Sequence, residues 1–186
     1  MSADIKKTVK EKMEGAAEHL RKELAGVRTG RASLALLDNV KVDYYGTPTP
    51  LRQVAALSVP ENRLIAIQPW EPNLIVEIEK AILSSDLGLT PNNDGKVVRI
   101  NIPPLTEERR RDLVKHCKKM GEDSKVAIRN FRRDGNEELK NQQKSGSLSE
   151  DALRKFQDEI QKLTDEFIKK IDEIIKHKES EILEKT

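Results

Sequence analysis

The sequence predicts an α+β fold: an elongated three-helix bundle with a small β/α/β domain inserted after its first helix. Three observations lead there. Apolar residues recur at steps of three and four along three long segments, one at the N-terminus and two after residue 105. Between them, residues 31–104 break into short β-prone runs punctuated by proline, glycine and asparagine. No helical segment is apolar all round, so the three stripes bury themselves against one another or against a partner, and mutual packing is the economical solution.

In chain order, Ile5, Val9, Met13, Ala16, Leu20, Leu24 and Val27 form the first stripe. Their spacing predicts a helix over about residues 3–28, with Gly30 near its end because glycine enters the left-handed region without a Cβ clash. VKVDYY, GTPTP, QVAALSV and RLIAIQP then read as short strands and turns. The segment from Pro72 to Ser84 is helical, with Leu74, Ile75, Ile78 and Ile82 on one face, and NNDGKVVRINIP returns to a turn and a strand. Pro103 and Pro104 lack backbone donors and hold the chain extended, which makes a stiff connector.

Helix resumes at once. Thr106 is a candidate cap, Glu107 and Glu108 suit the positive end of a helix dipole, and Leu113, Cys117, Met120, Ser124, Ala127 and Phe131 continue a stripe that reaches about residue 144. At 1.5 Å per residue this helix is roughly 55 Å long, more than a compact domain needs. Ser147 and Glu150 have capping-box spacing. Behind them Phe156, Ile160, Leu163, Phe167, Ile171, Ile174, Lys178 and Ile182 trace the third stripe. The expected domains are therefore residues 1–30 with 105–186 for the bundle and 31–104 for the insertion. The two chain crossings, Thr29, Gly30 and Arg31 on one side and Pro103, Pro104 and Leu105 on the other, form a two-strand hinge.

Composition narrows the function classes. The 34 basic and 32 acidic side chains nearly cancel, so a uniformly basic coat is excluded and any nucleic-acid surface must come from local arrangement. Cys117 is the single cysteine, which rules out an internal disulfide and suits a reducing compartment. No run approaches membrane-spanning length, and the N-terminal MSADIKKTVKEKMEG lacks the apolar core of a signal peptide. A cytoplasmic protein is expected.

The second long helix carries the chemistry. At about 100° per residue, Arg111, Lys118, Lys125, Arg129 and Arg132 fall in one sector of roughly 60°, with Arg110 toward its core side and Arg133 and Lys115 beyond its other edge. Residues 105–145 hold 12 basic and 8 acidic side chains, whereas residues 146–186 hold 8 and 11. Guanidinium forks on such a stripe can follow a phosphate backbone. The same residues also fit a solvated helix face with local ion pairs. Few aromatics are available for stacking, which points to folded RNA and phosphate rather than single-strand base readout.

Catalytic patterns are weak. His19, His116 and His177 lie apart and outside any metal-binding spacing, Cys117 falls on the core face with no activating neighbour in sequence, and DGK has no phosphate-loop framework. Tyr44, Tyr45 and Trp70 are expected to pack rather than to recognise a partner. No cofactor or metal is implied. An RNA-binding bundle and a helical adaptor that binds partner helices both remain open at this point. An RNA-modifying enzyme would need a reactive cleft that no motif announces.

RTGRAS at Arg28 to Ser33, LLD at Leu36 to Asp38, YYGTPTPLRQ at Tyr44 to Gln53 and SDLGL at Ser85 to Leu89 resemble signatures of the ribosome recycling factors. PPLTEERR at Pro103 to Arg110, VAIRNFRRD at Val126 to Asp134 and QKLTDEFIKKI at Gln161 to Ile171 do so as well, in family order over nearly the whole chain. The resemblance implies the bundle and a flexible β/α/β domain set at an angle, L-shaped and resembling tRNA in outline. It implies a monomeric, non-catalytic factor that binds the post-termination ribosome and, with elongation factor G and that factor's GTP hydrolysis, separates the subunits and releases tRNA and mRNA. On matching positions, Arg110, Arg129 and Arg132 resemble residues that contact large-subunit rRNA, with Arg28 and Arg31 near the hinge as secondary candidates. Arg111, Lys118, Lys125 and Arg133 join them from the periodicity alone. Gly135 stands where the family pattern has alanine. A mid-helix glycine costs roughly 1 kcal/mol relative to alanine and predicts a bend or fraying there.

Overall fold

A computed structural model describes residues 2–184, which fall into two compact units: residues 2–27 with Glu108–Glu184, and Arg28–Glu107. The first unit holds the three long helices α1 (Ser2–Ala25), α4 (Glu107–Lys144) and α5 (Glu150–Leu183). The second contains six strands, two short α-helices and two 3-10 turns, so the predicted α+β class and helical bundle are both present.

In the helical unit, Ile5, Val9, Met13, Ala17, Leu20 and Leu24 of α1 meet Leu113, Cys117, Ile128 and Leu139 of α4 and Ile160, Leu163, Phe167, Ile171, Ile175 and Ile182 of α5. Period 3.6 drifts against the heptads read from sequence, and the buried set shifts accordingly. Ala17 rather than Ala16 is buried, Ile175 rather than Ile174, and Met120, Ser124, Ala127 and Phe131 are half-buried at the flank of the core. The N-terminal helix also stops at Ala25, three residues early, in a turn closed by Gly26 and Val27 N–H bonds to Glu23 and Leu24. At the other junction Ser149, not Ser147, caps α5: its Oγ accepts from the Ala152 N–H at 3.2 Å. Gly146 (φ +77°) makes the reversal between α4 and α5 possible.

Gly135 does not interrupt or fray α4, which is helical on both sides of it. It is buried against α1, and a Cβ built on it would lie 2.6 Å from Val9 Cγ2. Gly121 does the same against α5, where a Cβ would come within 2.7 Å of Ile175 Cγ1. The helix propensity lost at these two positions is exchanged for close interhelical approach.

The second unit packs α3 (Ile75–Ser84) over an antiparallel sheet of order β3-β4-β6-β5, comprising Ala55–Glu61, Leu64–Pro69, Val98–Asn101 and Pro91–Asn93. Alternation places Ile65, Ile67, Val98 and Ile100 on the covered face against Ile75, Ile78 and Ile82. A separate hairpin joins β1 (Lys41–Tyr44) to β2 (Thr47–Pro50), with Val42 opposite Thr49. Pro48 and Pro50 are tolerated in a two-stranded ribbon because each strand keeps one unpaired edge. Helix α2 (Leu51–Val54) takes the first two residues of the QVAALSV run, and the strand begins only at Ala55.

Tyr44 packs against the core of this unit as expected, whereas Tyr45 and Trp70 do not. Trp70 is 67% exposed and Tyr45 74% exposed. Tyr45 (φ +49°) and Gly46 (φ +84°) form the two-residue turn of the β1–β2 hairpin, and both tyrosine hydroxyls donate to the Glu71 carboxylate at 2.9 Å. That shared carboxylate ties exposed Tyr45 to the core-packed Tyr44 in an edge-to-face arrangement and raises the pKa of Tyr44.

Candidate nucleic-acid interface

Helix α4 is unbroken over 38 residues, so its seven-residue spacings convert directly into a row along one side. That row adjoins α5. Lys118 Nζ lies 3.7 Å from Glu179, Lys125 Nζ contacts both Asp172 and Glu122, and Arg132 Nη1 donates to Gln161 Oε1 at 3.3 Å. As the row advances by seven toward the C-terminus of α4, its partners move toward the N-terminus of α5, by seven from Glu179 to Asp172 and by eleven from Asp172 to Gln161, as antiparallel helices require.

The cations of the row are held differently. Lys125 is only 14% exposed, and its hydrogen bonds to Asp172 and then Glu122 raise its pKa against the opposing effect of burial. Lys118 is 61% exposed and faces a single carboxylate at a long distance, a geometry of the kind that contributes little. Arg132 has a neutral partner. Gln161 in turn donates through Nε2 to Asp165 Oδ1 at 2.9 Å, so an amide stands between the guanidinium and the carboxylate.

Arg110 has partners within the bundle. Its Nη1 donates to the backbone carbonyls of Ile182 at 2.7 Å and Glu184 at 2.8 Å, satisfying carbonyls that the end of α5 leaves open. Arg129 is half-buried and makes no hydrogen bond or ion pair with the other described residues, and Arg111 and Arg133 are exposed. In the other unit Arg28 reaches the Asp86 carbonyl at 3.5 Å, while Arg31 is half-buried with contacts of its own. Thr29, Gly30, Arg31, Pro103, Pro104 and Leu105 all lie outside regular secondary structure. Gly30 (φ +79°) sits against Leu105, whose Cγ would be 3.2 Å from an added Cβ.

A profile of the family described as "Ribosome recycling factor" matches residues 20–183. The chain belongs to the ribosome recycling factor family. The Ribosome-recycling factor of Geobacillus sp. (strain WCH70) is 59% identical over 184 residues, 99% of this chain and 100% of that protein. That of Nitratidesulfovibrio vulgaris (strain DP4) is 59% identical over 174 residues, 94% of each. The solution structure of a ribosome recycling factor matches with a TM-score of 0.79 at 42% identity, over 98% of this chain and 97% of that one. Another match is the T. thermophilus ribosome recycling factor, described with E. coli elongation factor G on the E. coli post-termination complex. It has a TM-score of 0.65 at 47% identity, over 99% of this chain and 100% of that one.

Ribosome recycling factors are translation factors, and the chain is one by membership. His19, His116 and His177 are exposed, and among the described residues no group of histidine, cysteine and carboxylate side chains could hold a metal ion. Cys117 is fully buried, which pushes its thiol pKa up and away from nucleophilic use. No helix among the described residues is long and apolar enough to cross a membrane. Sequence reasoning missed Gln161, Asp172 and Glu179. A signal for them existed: Asp158, Asp165, Asp172 and Glu179 recur every seven residues, the period of Arg111, Lys118, Lys125 and Arg132.

Proposed function

We propose that this chain recycles ribosomes after termination: it binds the post-termination ribosome and, with elongation factor G hydrolysing GTP, drives the subunits apart and releases tRNA and mRNA. The observation that carries this is family membership over residues 20–183, with one relative covered end to end at 59% identity. The chain itself acts without a cofactor and without catalysis, as a cytoplasmic monomer. Its contribution is mechanical.

The anchoring surface is the α4 face, where Arg129 and Arg132 offer guanidinium forks to large-subunit rRNA phosphate, flanked by Arg110, Arg111, Lys118 and Arg133. Arg28 and Arg31 add cations near the chain crossings. Long close-packed helices deform little, so a bundle pinned at this face works as a lever. The inserted domain, residues 31–104, turns about Thr29, Gly30 and Arg31 on one crossing and Pro103, Pro104 and Leu105 on the other. Rotation is absorbed by irregular backbone, and neither core has to open.

The test follows light scattering of post-termination ribosomes mixed with elongation factor G, GTP and an initiation factor that blocks reassociation. Splitting that accelerates only when this protein is added supports the proposal. Folded protein that leaves the rate unchanged, beside a working control factor, would refute it.

A further inference from the structure

We infer that α5 decides which cations of the α4 row are available to RNA, with Gln161 as the positioning residue that keeps Arg132 available and Asp172 as the residue that withholds Lys125. The inference rests on the proposed rRNA-binding role of the α4 face and concerns how that face is tuned.

The two rungs match in sequence register and are opposite in chemistry. Lys125 and Arg132 stand seven residues apart on α4, and Asp172 and Asp165 stand seven apart on α5 in the matching antiparallel register. At the first rung the carboxylate contacts the ammonium directly, Glu122 adds a second carboxylate at 3.0 Å, and the side chain is almost covered. A cation so paired has to surrender two carboxylate contacts before it can meet a phosphate, so it releases little free energy by doing so. At the second rung the partner of the cation is the Gln161 amide. Its Oε1 accepts from Arg132, and its Nε2 donates to Asp165, so the guanidinium is oriented by a neutral acceptor and keeps its charge uncompensated by that aspartate. One acceptor site occupies one of five N–H groups, leaving the remainder of the fork for a bidentate phosphate contact.

Replacing Gln161 with glutamate sets a carboxylate directly against the cation of the second rung, as Asp172 is at the first, without changing the side chain's size. Replacing Asp172 with asparagine performs the reverse change on Lys125. Binding of purified large ribosomal subunits is measured across a salt series for each variant, because the slope of log affinity against log salt counts the phosphates neutralised. Gln161→Glu is expected to weaken binding by about tenfold and to lower the slope by about 1. Asp172→Asn is expected to raise the slope by about 1, steepening the loss of affinity between 50 and 200 mM salt by a further factor of about 3.

Adding or removing a negative charge also changes long-range repulsion, so both changes are repeated where the cation is absent. Gln161→Glu added to Arg132→Ala should cost nothing further, and Asp172→Asn added to Lys125→Ala should gain nothing. Penalties and gains that persist undiminished in those backgrounds would overturn the inference and assign the effects to the field of the patch. Thermal melts of every variant separate binding from folding. Arg132→Ala alone tests the underlying reading: if it binds subunits like the parent chain, the α4 face is not the anchor. If it binds weakly while the paired variants remain additive, the anchor stands and the tuning by α5 does not.

Discussion

Alanine at position 135 is the substitution on which general propensity and this particular packing give opposite answers. An exposed mid-helix Gly→Ala change stabilises by about 1 kcal/mol. Here the new Cβ would lie 2.6 Å from Val9 Cγ2 and 3.4 Å from Ile160 Cδ1, against a carbon–carbon optimum of roughly 3.5–4.0 Å. Valine cannot step aside, because a β-branched side chain in a helix is confined almost entirely to one rotamer. Helix α1 must then move by about 1 Å at Val9, and overpacking of this kind costs about 1–3 kcal/mol. The net expectation for Gly135→Ala is a loss of about 1 kcal/mol, the overlap outweighing the propensity. In a Val9→Ala background the overlapping methyl is gone, and the same change should stabilise by about 1 kcal/mol, giving a coupling energy of about 2 kcal/mol. Urea unfolding followed by far-ultraviolet circular dichroism, with the slope against denaturant held constant, measures all four corners of the cycle. A Gly135→Ala protein more stable than the parent, or a penalty unchanged when Val9 is truncated, would refute the close-approach argument.

Arg110→Ala should lower stability by about 1–2 kcal/mol, because it strips a charged donor from the carbonyls of Ile182 and Glu184, and should weaken ribosome binding as well. Unchanged melting would mean the cap does not form in solution. Gly30→Ala forces a Cβ into left-handed backbone beside Leu105 and should cost about 1–2 kcal/mol, read by amide exchange in the sheet that follows; unaltered exchange would contradict this. Asp94 accepts from Arg99 at 2.7 Å and from the Val97 and Lys96 N–H groups, which together hold its carboxyl well below its ordinary value of 3.8. Its stabilising contribution is therefore complete above that value and is lost as pH falls through the lower folded-state value. Asp94→Asn should flatten this part of the acid limb, visible in amide shifts of the β5–β6 hairpin. An identical acid response in both proteins would count against the pairing.

The sequence by itself determined the α+β class, the three amphipathic helices, the β-rich insertion and the basic row on α4, because periodicities of 3.6 and 2 are local properties of the chain. The resemblance at RTGRAS, YYGTPTPLRQ and VAIRNFRRD pointed to the family as directly. Tertiary structure decided matters that depend on a residue's neighbour across an interface. Gly135 read as a weak point in α4 until Val9 was placed over it. Lys125 and Arg132 read as equivalent members of one stripe, since a helical wheel contains a single helix. Only the packing of α5 beside α4 sets an aspartate against one and a glutamine against the other. Trp70 and Tyr45 show the same limit from the surface side: their apolar character suggested packing, yet the cores of the two units close without them and leave both rings in solvent. Local pattern fixes what each segment becomes, whereas the electrostatic state and burial of a side chain belong to pairs of segments that meet only after folding.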